Sequence, residues 1–170
     1  MQVHVKNEID PGDISGMRTN RVGNCPAFKM ERETMTIRTT EIQRVVLVRL
    51  NPGDDVLLAL REAVEQQGIK NGIILNGLGS TSSYHYHVVA STELPPKELF
   101  PKADNAPRDI VCYSGMIMDG RVHAHILLSD DQRAEGGHLE EGTRVLTFSV
   151  VAIADLGDVD VAGWDRVGKM

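Results

Sequence analysis

The sequence predicts an α+β domain: a mostly antiparallel sheet of about six strands with one main helix packed on it. Three observations lead there. Several segments alternate apolar and polar residues with period two, one segment alone carries a sustained 3.6-residue apolar period, and Asp119-Gly120 is a two-residue hairpin turn between alternating segments. At 170 residues, with 41% hydrophobic content, the chain has the length of one domain with a real core.

Residues 1–33 mix Asn, Asp, Gly, Pro and Arg without a period and read as an N-terminal extension, disordered alone or ordered against a neighbouring subunit. The domain is expected over 34–156, with a C-terminal tail over 157–170. The Thr, Ile and Val of Thr34 to Leu50 predict the first strand, and Asn51-Pro52-Gly53 a turn. Asp54 or Asp55 then caps a helix with Val56, Leu57, Leu60, Ala63 and Val64 on its apolar stripe, closed by Gly68. Gly72 to Ser80 reads as a short buried strand whose glycines serve close backbone packing. The segment is no dinucleotide fingerprint, since the third glycine is missing and no helix follows. Ser83 to Ser91 is a further strand, and Pro95 to Pro107 a loop with one helical turn at Lys97 to Phe100. Asp109 to Met118 and Arg121 to Leu128 form the hairpin. Thr143 to Ala154 is the last strand, expected to be buried on both faces.

The hairpin fixes a register. Met118 pairs with Arg121, Met116 faces His123, Ser114 faces His125 and Cys112 lies opposite Leu127. His123 and His125 then share the sheet face away from the helix, while Val122, Ala124, Ile126 and Leu128 point into the core. His138 follows Gly136-Gly137, a pair suited to turning the backbone sharply back. Three neutral imidazoles within sixteen residues, with one position left open, are the ligand set of a catalytic-type zinc site or a comparable divalent-metal site. The bland alternative is a polar strand face meeting solvent, and spacing alone leaves it open. Glu135, Glu140 and Glu141 flank the third histidine. One of them, Glu135 and Glu140 foremost, is the candidate general base toward water activated at such a centre, against the plainer reading of solvated loop acids. Cys112 is a weak fourth ligand, since a thiol filling space is the commoner fate. His85 and His87 repeat the His-x-His spacing on one face of another strand; they are candidates to join the cluster as outer donors or proton carriers, though the plainer reading leaves them exposed and outside the site. Met116, Met118 and Leu127 make the histidine face too apolar for water, which predicts a symmetric partner.

GRVHAHILLSDDQRAEGGHLEEG, from Gly120 to Gly142, resembles the signature of the plants and prokaryotes conserved (PPC) domain: a Gly, a His-x-His strand, a short loop and Gly-Gly-His-Leu ending at Gly. The upstream RVVLVRLNPGDDVLLALREAVEQQGIKNGIILNGLGST is similar to the family's strand, turn, helix and Gly-containing strand, so the likeness covers about Thr36 to Asp155. The resemblance implies a homotrimer with the histidine region near subunit contacts. It also raises a DNA-associated, regulatory function as the alternative to a metal-binding protein or metalloenzyme acting on a small molecule. Plant relatives join the domain to AT-hooks. This chain resembles the stand-alone prokaryotic type, with no such segment, and its net charge of -6 weighs against binding phosphates. Aromatics at 4% leave little for stacking on single strands. No apolar run approaches bilayer length, the first residues lack the basic flank and apolar stretch of a signal peptide, and two cysteines, Cys25 and Cys112, fit a reducing cytoplasm.

Overall fold

Asp55 starts the chain's one helix among the described residues, and its surroundings show how helix and sheet are joined. In the computed structural model, which describes residues 35–167, its carboxylate accepts the Leu58 amide at 3.2 Å as an N-cap and the Gly142 amide at 2.7 Å. The helix, α1, runs Val56–Gln66 and buries Val56, Leu57, Leu60 and Val64. Gly68, at φ +63°, ends it, because that left-handed turn excludes a β-carbon at little cost only in glycine. The expected extension over 1–33, with Cys25, lies outside the described residues.

Eight strands, two more than the sequence predicts, surround this helix: β1 Arg44–Leu50, β2 Gly72–Val89, β3 Glu98–Leu99, β4 Lys102–Ala103, β5 Arg108–Met118, β6 Arg121–Ser129, β7 Ala134–Leu139 and β8 Arg144–Asp155. Every pairing is antiparallel, in the order β1-β8-β2-β5-β6-β7, and the end of β2 pairs back onto β7. Four differences from expectation each follow from a strand pairing. The first strand begins only at Arg44, where β8 offers a partner. The two strands expected over 72–91 are one 18-residue strand. It shifts register against β8 between Ile74 and Asn76, and again around Thr81, which lets it leave β8 and reach β7. The segment expected to hold a helical turn at Lys97 to Phe100 instead adds β3 and β4 to β2. The loop expected after Ser129 contains β7.

The Asp119-Gly120 hairpin is a finding in agreement. Both residues have positive φ, 52° and 76°, as a type I′ turn requires. Met118 pairs with Arg121, Met116 with His123, Ser114 with His125 and Cys112 with Leu127, a residue-for-residue match to the predicted register. The core lies between α1 and one sheet face, where Val56, Leu60 and Val64 cluster with Ile74, Ile117, Ala124, Ile126, Leu128 and Ile153. In β8 the predicted double burial holds only for the last residues, since Leu146 and Phe148 are exposed.

The opposite face is apolar and open. Val45, Ala154, Ile73, Met116 and His123 form one row across β1, β8, β2, β5 and β6. Leu47, Leu75, Leu78, Leu146 and Phe148 are exposed, with Leu47 at 73%. Met118, expected on the open part of this face, is buried. No helix among the described residues is long and apolar enough to cross a membrane.

Candidate metal centre

The second row of that face is Ser114, His125, His138 and His87, in register across β5, β6, β7 and β2. His123 sits two residues from His125 on β6, so four of the chain's six histidines meet on three neighbouring strands. The His123 and His125 rings stack at 5.6 Å with planes 11° apart, and His138 meets them edge-on at 4.5 and 5.4 Å. One ring nitrogen from each of His123, His125 and His138 lies within 4.8 Å of the others. Nitrogens around tetrahedral zinc stand about 3.3 Å apart, given bonds of about 2.0–2.1 Å. The three nitrogens are thus gathered near the spacing a single ion needs, and three imidazoles are donors of the kind a divalent metal takes.

At His125 and His138 the electrostatics favour the neutral imidazole that metal binding requires. Burial, with His123 and His87 alongside, pushes the His138 pKa down to about 4 against a partial counter-effect of Glu140. Burial and the nearby His123 and His87 also lower that of His125. The Gly-Gly pair before His138 acts otherwise than as a turn. It lies inside β7, where a β-carbon on Gly136 would stand 2.0 Å from the Ile126 carbonyl oxygen and one on Gly137 2.3 Å from that of His87. The two glycines let β7 press between β6 and β2, and this closeness delivers His138 to its neighbours.

The acidic residues separate. Glu140 lies 2.6 Å from His87 Nδ1 on the histidine side. Glu135 sits at an alternate position of β7 from His138, held by Arg108 at 3.0 Å and the Tyr86 hydroxyl at 3.1 Å, so its carboxylate is occupied away from the imidazoles. Glu141 pairs with Arg61 on α1. Cys112 belongs to neither group of close metal-donor atoms among the described residues. His85 turns from the cluster, its Nδ1 2.7 Å from the Glu141 carbonyl oxygen. His87, by contrast, joins the cluster that the sequence reading left it outside.

The expected C-terminal tail also reaches the site. Asp165 accepts two bonds from Arg121 Nη2, at 2.9 and 3.2 Å, and stands 3.6 Å from His123 Nδ1. Burial works to raise the Asp165 pKa, but Arg121 holds it below the ordinary carboxylate value. Trp164 shares a cleft of about 440 Å³ with Met116, Met118, His123 and His125. A second cleft, about 720 Å³, opens on His123 and His138 from the helix side, between Arg61, Lys70 and Arg121. No local pattern in residues 157–167 signals this role, because the contact spans some forty residues of chain.

An antiparallel sheet carrying one helix on one face and a histidine cluster on the other defines a small α+β protein with a polar site on a sheet. The chain belongs to the Plants and Prokaryotes Conserved domain family, whose family model matches residues 37–156. The bifunctional protein GlmU of a Synechococcus strain is 31% identical over 115 residues, covering 66% of this chain. The chain spans only 17% of the length of the curated relatives it matches. Among solved structures, the metal-containing protein of Archaeoglobus fulgidus is similar at a TM-score of 0.61 and 22% identity, over 74% of this chain and 86% of that one. A candidate DNA-binding protein from Bacteroides thetaiotaomicron is similar at 0.60 and 20% identity, over 69% and 82%. At these identities the two structures establish the fold.

Proposed function

We propose that this protein is a homo-oligomeric metal-binding member of the family, holding one divalent ion, zinc by preference, through His123, His125 and His138. The carrying observation is the convergence of those three imidazoles from β6 and β7, with no fourth protein ligand in the group among the described residues. The name of the Archaeoglobus protein, metal-containing, supports the same reading. When bound, such an ion polarises a carbonyl or carboxylate or makes water acidic at neutral pH. Around it, the clefts on either side offer room for a small molecule, and Met116 and Trp164 give one of them apolar walls. Glu140 is hydrogen-bonded at 2.6 Å to His87, whose ring packs against His138, whereas Glu135 is held by Arg108 and Tyr86, so Glu140 rather than Glu135 is the acid/base candidate.

The oligomer is proposed as a trimer. Its support is the open apolar face that runs from Val45 and Leu47 through Ile73 to Met116, ending at His123, together with the family resemblance; the histidines would then lie at the rim of the subunit contact. A DNA-associated function is the second reading, favoured by the description of the Bacteroides protein. The net charge of -6 counts against it, because affinity for nucleic acid comes chiefly from neutralising phosphates.

The test is metal analysis after dialysis against zinc buffered at nanomolar free concentration. Wild type is expected to retain about one ion per chain, and His123→Ala/His125→Ala to lose it. Loss of two direct ligands should weaken binding by more than about a hundredfold, since removing an outer partner alone costs 10–100-fold. Stoichiometric metal in the double variant at that concentration would sink the assignment.

A further inference from the structure

His87 brings a second set of donors to the histidine face. It faces His138 across the β2–β7 pair, with ring centroids 4.4 Å apart. Its Nδ1 is 2.6 Å from Glu140 Oε1, and its Nε2 is 3.8 Å from Glu98 Oε1 on β3. Donor atoms of His87, His138 and Glu140 all lie within 4.8 Å of one another, as do those of the first three imidazoles. The side chains are well shielded, with His87 19% and Glu140 28% exposed, and Phe100 packs against the His87 ring at 5.3 Å.

We propose that His87, His138 and Glu140 form a second divalent-cation position that overlaps the three-histidine position at His138, so that one ion occupies one or the other. The overlap follows from chemistry: a neutral imidazole has a single ring lone pair and serves one ion at a time. The two donor sets differ in kind. Three imidazoles suit zinc, whereas two imidazoles and a carboxylate, with Glu98 adjacent, carry negative charge and accept harder ions such as manganese or cobalt as well. Binding here breaks the hydrogen bond between His87 and Glu140, so this position is the weaker of the two. Lying on the opposite side of His138 from β6, it gives an ion a place to enter before transfer. The alternative is that the His87–Glu140 pair only fastens the end of β7 to β2, which would leave metal binding indifferent to both residues.

The inference rests on the metal-site reading of the first position for the shared role of His138, but its test is separate. The probe is cobalt(II) added to the full chain carrying His123→Ala/His125→Ala, followed by its visible absorption and by equilibrium dialysis. Expected is about one cobalt per chain at micromolar to millimolar free metal, and none at nanomolar. Adding His87→Ala abolishes it. Adding Glu140→Gln, which preserves shape and a hydrogen bond to His87 and so guards against a folding artefact, weakens it by at least about tenfold. A double variant that takes up no cobalt at millimolar concentration overturns the proposal. So does uptake unchanged by both His87→Ala and Glu140→Gln, which would mark an adventitious ion only. A wild type empty of zinc at nanomolar concentration would instead defeat the earlier reading, and leaves this result legible on its own.

Discussion

His138 touches every other member of the cluster, and its ionisation has a measurable consequence. Its pKa falls from 6.5 to about 4 in the folded chain. Below pH 6.5 the unfolded chain takes up a proton that the folded chain refuses, so the associated stability is fully present above that pH and is lost as pH falls toward 4. The metal-free protein should therefore melt at progressively lower temperature across that window, and His138→Gln should flatten the slope. Equal slopes in the two proteins would remove His138 as the cause. At this scale the sequence made His123, His125 and His138 legible, because two share a strand face by period and the third follows a distinctive Gly-Gly. It offered His87 only as the less favoured of two readings and did not reveal Asp165. Both meet the site through contacts tens of residues away, His87 with His138 and Asp165 with Arg121, and no local period encodes such a meeting.

Among the elements, β7 is the one whose sequence misleads. Gly136 and Gly137 suggest a turn, because glycine's commonest use is conformational freedom. Here their lack of a side chain matters more, since neighbouring carbonyl oxygens occupy the space a β-carbon would need. Gly136→Ala is accordingly expected to destabilise the protein by at least about 2 kcal/mol in denaturant unfolding and to weaken zinc retention by shifting His138. Unchanged stability would mean that β7 has room to spare. The β5–β6 hairpin was legible to the residue because a type I′ turn ties register to two adjacent residues. The helix was legible for a similar reason, its cap, stripe and terminating glycine all falling within fifteen residues. The strands β3 and β4 were not, as two-residue segments carry too few positions to show alternation.

For the whole molecule, the open face makes the strongest demand. Leu47, Leu75, Leu78 and Phe148 stand exposed on a sheet whose other side is already covered by α1 and the core. Light scattering at micromolar concentration should give about three times the 18.7 kDa chain mass, and Leu47→Glu/Phe148→Glu should reduce it to one. A wild-type mass of one chain would refute association through this face. The pairing of β2 with β7 has a different consequence for how copies can meet. Because β2, β5, β6 and β7 close on themselves, the strands bearing the histidines do not offer a long free backbone edge to a stranger, and β1 is left as the sheet's long exposed margin. That margin is guarded: Arg44 and Arg49 stand near its two ends, charged where an added strand would have to dock. Growth by backbone zippering into open-ended fibres is thereby discouraged, and association through the open face would be face to face rather than edge to edge.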